Sequence, residues 1–302
     1  MTLAILTPSY APDFDAFAAL HRSVLEFTDP SVLHYVVVPD EDLELFSTLL
    51  SSRMVLVGYR GLLPRSFVST AWFAHAVARI PRVPRGARFI AVNLRRPLPP
   101  LRGWLLQQIV KLSMAMRVDC DTLLVIDSDA QLIRPVVESI FASPTAVRFY
   151  QGPAAITPGM TRHISWHTAA RHMVGVAPDG PPPYGDPIGS MVSWDPRVVR
   201  QCTERVAEVA QRGWETAVSR EWEFSEYVLY GEFISEFGSP QQLSFPADRT
   251  LCHSHWDPHP LDLAGAKRFV ETLEPDDVAV HVQSNSHTGP EILDFIRSAV
   301  RA

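Results

Sequence analysis

Residues Asp121–Pro135 read DTLLVIDSDAQLIRP: an apolar run, Leu123 to Ile126, that stops on two aspartates with one serine between them. A run without polar alternation is what a central strand needs when helices cover both faces of its sheet. In such sheets ligands gather beyond the carboxyl ends of the strands, and Asp127 and Asp129 stand there. Residues two apart along an extended segment point the same way, so the two carboxylates are placed to converge on one hard cation. A divalent ion held by one or two carboxylates keeps positions open for phosphate oxygens. The bland alternative is a strand end turning into a loop, where Asp and Ser are favoured for hydrogen-bonding their own backbone.

Upstream, Trp104 to Met116 has helical spacing, with Leu105, Leu106, Ile109, Leu112 and Met116 on one stripe and Gln107, Gln108 and Lys111 on the other side. Leu3–Leu6 predicts a strand and the segment from Asp13 a helix, followed by strands at Leu33–Val38 and Met54–Tyr59 with a helix over Leu43–Leu50 between them. Strands alternating with helices argue for an α/β fold with a mainly parallel sheet. Prolines interrupt Leu62–Pro100, which reads as an insertion. Downstream, Pro178–Pro187 reads as a rigid loop, Met191–Trp194 as a strand, Pro196–Arg212 and Glu221–Phe237 as helices, Leu243–Phe245 as a short Pro-bounded run, Val278–Val282 as the last strand and Pro290–Val300 as the closing helix.

The 302 residues, 46% of them hydrophobic, suffice to bury a sizeable core. With 33 acids against 27 bases and no basic stripe, a nucleic-acid partner is disfavoured. Only Lys111 and Lys267 are lysine, which singles each of them out. No apolar run is long enough for a membrane span, and the N-terminus MTLAILTPSY lacks the basic region of a signal peptide. Cys120, Cys202 and Cys252 are too scattered for a metal finger, so reduced thiols and a cytoplasmic location are expected.

The stretch KLSMAMRVDCDTLLVIDSDAQLIRP resembles the helix, strand and D-x-D region of GT-A-type glycosyltransferases, and TPSYAPDFDAF, GWLLQQIVKL and FSEYVLYGEF extend the likeness to a bacterial group of these proteins. The resemblance implies a single GT-A-like domain over residues 1–302, with a nucleotide-sugar half (1–150) and an acceptor half (151–302). It also implies transfer of a sugar from a nucleotide-diphosphate donor to a small-molecule or carbohydrate acceptor, with Mn²⁺ or Mg²⁺ at the D-x-D. In that setting Asp127 lies near the ribose or a metal-bound water, beside Ser128, and Asp129 ligates the metal.

A histidine from a later segment often completes such a site: His255 is favoured, then His253, both in CHSHW, with His281 in AVHVQSN behind them. A lone histidine is more often an ordinary polar residue, and it is as a cluster near Trp256 that these three gain weight. Thr7, Pro8, Ser9 and Tyr10 end the first strand where the family docks its nucleotide, with Tyr10 placed to stack on the base and Asp13 to cap the next helix. Lys111 and Gln108 are the donor-side candidates on the preceding helix, against a plain solvated face. Glu226, with Glu223 three residues before it, is the candidate general base of an inverting transfer. Trp166, Tyr184 and Trp194 are candidates to stack on an acceptor sugar and Asp186 to bind its hydroxyl, although aromatic residues are more often core.

Three other readings share the motif. A nucleotidyltransferase uses the same fold and metal logic on a different bond. A haloacid-dehalogenase-like phosphohydrolase would use the first aspartate as nucleophile, but its motif sits near the chain start and Ala130 and Gln131 replace its usual residues. A non-catalytic nucleotide-sugar binder would show metal-dependent binding without turnover.

Overall fold

The computed structural model describes residues 2–69, 89–94, 96–143, 145–238 and 244–300. Most of the expected Leu62–Pro100 insertion, namely residues 70–88 and 95, and the start of the Leu243–Phe245 run lie outside the described residues.

Five strands form the central sheet, in the order Met191–Trp194, Thr122–Ile126, Leu3–Pro8, Leu33–Val38, Met54–Gly58. Four run parallel, and only the edge strand Met191–Trp194 is antiparallel to its neighbour. The lack of alternation in Leu123–Ile126 has the expected cause. Leu123 and Val125 enter the core on one face of the sheet, with Leu105, Ile109 and Leu112 of the helix Gly103–Ala115; Leu124 and Ile126 enter the core on the other, with Leu20 and Val24 of the helix Phe14–Phe27. All four residues are fully buried, each contributing on the order of 2 kcal/mol of apolar transfer.

The helix Gly103–Ala115 differs from its predicted two-sided character. Gln108 and Lys111 are buried, 1% and 5% exposed, because the helix Glu226–Phe237 packs over the polar stripe. That second helix starts five residues later than the pattern predicted. Ser225 is its N-cap and accepts from the Val228 N–H at 3.4 Å, so Glu221 and Glu223 precede the helix, and Glu223 does not share a helical face with Glu226. The Pro178–Pro187 loop contains a short strand, Tyr184–Asp186, paired antiparallel with Gly152–Ile156.

A three-stranded sheet that the D-x-D segment itself begins decides the site. Ala130–Leu132 pairs antiparallel with Ala279–Val282, which pairs parallel with Cys252–His255. No described helix is long and apolar enough to cross a membrane.

Candidate functional site

The strands Leu3–Pro8 and Thr122–Ile126 are parallel neighbours, so Pro8 and Ile126 end at the same edge of the sheet. Beyond Ile126 the chain does not continue extended: the Ala130 N–H donates to the Asp127 carbonyl at 3.1 Å, closing a turn over Asp127, Ser128 and Asp129. The two carboxylates are therefore placed by a turn rather than by strand alternation, and they face different surroundings.

Asp129 is held from the far sheet. Its Oδ2 accepts the Ser284 N–H at 2.8 Å, and its Oδ1 lies 3.3 Å from His281 Nε2. Burial pushes the Asp129 carboxyl up, but His281 and the Ser284 N–H outweigh it and hold the group below its ordinary value. The register explains why it is His281. This residue pairs with Ala130 across the antiparallel ladder, next to Asp129, and with Ser254 across the parallel one. His253 and His255 pair with Val280 and Val282, on the other face of the sheet. There His253 Nε2 meets Thr272 Oγ1 at 3.2 Å with its ring against Phe269, and His255 Nε2 meets the His259 carbonyl at 3.0 Å. His281 is 2% exposed, its ring packs on Trp256 at 4.5 Å, and its Nδ1 is buried with no hydrogen-bond partner among the described residues.

Asp127 faces the other way. Its N–H donates to the Ser190 carbonyl at 2.9 Å. Burial raises its carboxyl to about 6 against the pull of Lys111 and His281, with Asp129 and Glu226 pushing in the same direction as burial. Lys111 Nζ contacts the Glu226 carboxylate and lies 3.3 Å from the Tyr227 hydroxyl, over the tyrosine ring. Burial alone would lower the Lys111 pKa, but Glu226, Tyr227 and Asp127 drive it well above its ordinary value, so the ammonium stays charged. Gln108 Oε1 accepts the Glu226 N–H at 2.9 Å and ties the two helices together.

Of the first-strand residues, Thr7 is fully buried and its hydroxyl meets His34 Nε2 at 3.0 Å, while the Ser9 N–H donates to the Val37 carbonyl at 2.9 Å. Pro8 closes the strand. Tyr10 stands 45% exposed, and its pKa is raised by burial and by the charges of Asp13 and Asp129. Asp13 makes no capping bond; it accepts from Ser128 Oγ at 3.3 Å, and burial together with the Asp129 charge raises it to about 6. Sequence reasoning gave Asp13 only a capping role, and its approach to Ser128 depends on the parallel pairing of two strands far apart in the chain.

The acceptor candidates separate. Trp194 is 1% exposed and packed between Tyr227 and Tyr230, so it belongs to the core and offers no face for stacking. Tyr184 stacks on His167 at 3.9 Å, and Asp186 Oδ1 accepts the Ile188 N–H at 3.1 Å. Trp166 is 7% exposed and stacks on Trp104 at 5.3 Å. Glu223 is engaged by Arg162 at 2.8 Å and Arg102 at 3.5 Å.

A second titratable cluster brings ligand atoms of His167, Asp179 and Glu232 within 4.8 Å of one another. Arg171 Nη1 already occupies it, at 2.9 Å from Glu232, 3.4 Å from Asp179 and 2.7 Å from Glu236. Both nitrogens of His167 face carboxylates, Nδ1 to Glu232 at 2.9 Å and Nε2 to Asp179 at 3.1 Å, which suits an imidazolium better than a metal ligand.

The fold and this edge define a mixed α/β protein whose mainly parallel sheet gathers carboxylates and a histidine at its carboxyl end. A model described as a family of unknown function (DUF6492) matches residues 2–290, and the chain belongs to that family. No curated protein matches it significantly. Among solved structures, mouse xyloside xylosyltransferase 1 in its apo form is similar over 95% of this chain and 99% of its own, at 13% identity and a TM-score of 0.48. The galactosyltransferase LgtC, in complex with donor and acceptor sugar analogues, is similar over 98% of this chain and 95% of its own, at 11% identity and a TM-score of 0.46.

Proposed function

We propose that the protein is a metal-dependent glycosyltransferase that moves a sugar from a nucleotide-diphosphate donor to an acceptor hydroxyl. The observation that carries this reading is the Asp129–His281 pair where two parallel strands end, with Asp127 across the same turn toward Lys111, at the place where open α/β sheets bind their ligands.

The residues present fit a divalent cation. Asp129 Oδ1 and His281 Nε2 lie 3.3 Å apart, a spacing at which two ligand atoms can share one ion. The carboxylates suit Mn²⁺ or Mg²⁺, and the imidazole nitrogen favours the softer of the two, Mn²⁺. Asp129 and His281 would hold the ion with Asp127 beside them; when bound, it would supply Lewis-acid stabilisation of the leaving diphosphate. The chain's own groups do the rest. Lys111 keeps a fixed positive charge next to Asp127, and Glu226 with Gln108 holds it there by joining the two helices. Glu226, 2% exposed and already bound to an ammonium, suits this positioning role better than that of a general base. Tyr10, half-exposed beside Asp13 and Asp129, would stack on the donor base, with Ser128 and Asp13 toward its ribose.

The deciding experiment incubates the protein with a panel of sugar nucleotides, with and without Mn²⁺, and follows donor binding and nucleotide release. Metal-dependent binding of at least one donor with release of its nucleotide is expected. Failure of every donor to bind, with phosphate-ester hydrolysis in its place, would replace this reading with the phosphohydrolase. Release of pyrophosphate from a nucleoside triphosphate would replace it with the nucleotidyltransferase.

A further inference from the structure

Next to the Lys111–Glu226 pair, Arg102, Trp104, Arg162, His163, Trp166 and Glu223 form one continuous surface. The Trp104 and Trp166 rings stack at 5.3 Å, and the Arg162 guanidinium lies 4.8 Å from the centroid of each, which fixes it by cation–π contact. His163 packs on Trp166 at 4.6 Å. Glu223 is the carboxylate that both Arg162 and Arg102 address, so two guanidiniums share one anion and a positive charge is left over. These groups are open to ligand: the side chains of Arg162, Arg102 and Glu223 are 52%, 28% and 31% exposed, whereas that of Arg171 in the enclosed cluster is 8% exposed. The surface joins the candidate site directly. Gln108 Nε2 donates to the Trp104 carbonyl at 3.4 Å, and Gln108 Oε1 takes the Glu226 N–H, so Gln108, one turn from Trp104, links the indole pair to the Lys111–Glu226 seam, and Lys111 follows about a turn later.

We propose that this surface binds the acceptor and that the acceptor is acidic, a hydroxyl compound carrying a carboxylate or a phosphate. The proposal rests on the transferase reading above and names the class of its second substrate. An oxyanion displaces Glu223 from the two guanidiniums and accepts their N–H groups in the planar geometry that arginine offers. A neutral sugar reaching the same place leaves the surplus charge without a counter-charge.

The test is direct binding, by calorimetry or ligand-observed NMR at low salt, of methyl glucuronide, glucose 6-phosphate and neutral methyl glucoside. At least one anionic probe should bind about tenfold more tightly than the neutral one, the difference one additional charge-assisted contact makes. Whichever anion is preferred assigns the source, carboxylate or phosphate. Arg162→Gln should remove that preference, with thermal melts establishing that the variant is folded. Glu223→Gln should act in the opposite direction and tighten the anionic probe by about threefold, because it removes the internal competitor. A purely structural Arg102–Glu223–Arg162 bridge would give no such gain. Equal affinity for neutral and anionic probes, or an anion weakened by Glu223→Gln, overturns the proposal. Sugar-nucleotide binding measured on the same samples reads out the transferase hypothesis separately, since its failure leaves the anion preference standing or falling by its own result.

Discussion

Lys111 Nζ meets the Glu226 carboxylate inside the protein, with the two residues 5% and 2% exposed and carried on different helices. Two charges this deep are tolerated because each has the other, and because the Tyr227 hydroxyl and ring lie against the ammonium. Breaking the pair from either side should be severe. Lys111→Met or Glu226→Leu each leaves one buried charge without its counter-ion and should lower the unfolding free energy by about 3 to 5 kcal/mol. The double substitution should recover much of that loss in urea unfolding, while donor binding stays impaired because the fixed cation beside Asp127 is gone. Additive losses in the double variant would show that the pair is not coupled.

Metal binding should follow the ionisation of the edge carboxylates. Asp127 is raised to about 6 by burial and must lose its proton before it can support a cation. Asp129, held below its ordinary value overall by His281 and the Ser284 N–H, is already ionised there. Mn²⁺ affinity, measured by calorimetry or electron paramagnetic resonance, should therefore fall as pH drops through about 6, with proton release on binding in that range. Asp129→Asn should cost about tenfold or more in Mn²⁺ affinity. His281→Ala should do the same and His253→Ala should not, because His253 lies on the opposite face of its sheet. An affinity that ignores His281 would remove it from the site.

Thr7, His34, His21 and Ser51 form a hydrogen-bonded chain beneath the site: His34 Nε2 meets Thr7 Oγ1 at 3.0 Å, the two Nδ1 atoms meet at 2.9 Å, and His21 Nε2 meets Ser51 Oγ at 3.3 Å. Two imidazoles sharing one Nδ1 proton cannot both be protonated, because one of the two Nδ1 atoms must accept. Burial, first of all, lowers both pKa values from 6.5, His34 the further, with the His21 charge adding to His34 and Arg53 to both. A histidine lowered in the folded state contributes stability above its unfolded pKa and loses it as pH falls below that value. Unfolding free energy should thus decline below about 6.5, by up to about 1.4 kcal/mol per pH unit for each proton taken up. A His21→Leu/His34→Leu variant should flatten this limb in denaturant titrations at pH 5 to 7; an unchanged slope would assign it to other groups.

The central strand, its two-faced burial and the parallel layout were legible because they depend on local apolar pattern, as Leu123 to Ile126 show. What the sequence hid depends on partners distant in the chain. Lys111 and Gln108 have the spacing of a solvated stripe, and only the packing of the Glu226 helix makes that stripe an interior seam. His255, His253 and His281 are equivalent as letters. Their ranking turns on which strand lies beside Ala130, a register that periodicity does not contain. The turn at Asp127 was offered as the bland alternative to a metal site, yet the protein uses the turn itself to separate the surroundings of Asp127 and Asp129.

The His167 cluster should give the opposite pH response. Burial alone would lower the His167 pKa, but Glu232 and Asp179 outweigh it and raise the group above 6.5. Such a histidine contributes stability fully below its unfolded pKa, and that contribution is lost as pH rises through the folded value. The charges facing it are Glu232 and Glu236 from the helix Glu226–Phe237, Asp179 from the loop, and Arg171 one turn along its own helix, with the Tyr184 ring stacked on the imidazole. Arg171 keeps pairing with all three carboxylates when His167 is neutral, so the cluster loosens without collapsing. The Asp179 and Tyr184 contacts connect it to the Pro178–Pro187 loop. That loop should accordingly show faster amide exchange once the pH has passed the raised His167 value than below about 6, beyond the intrinsic pH dependence of exchange. His167→Gln, which can bond both carboxylates less strongly and cannot take up the proton, should abolish the difference and remove the alkaline-side fall in stability. A loop whose protection does not change across this pH range would show that His167 does not hold it.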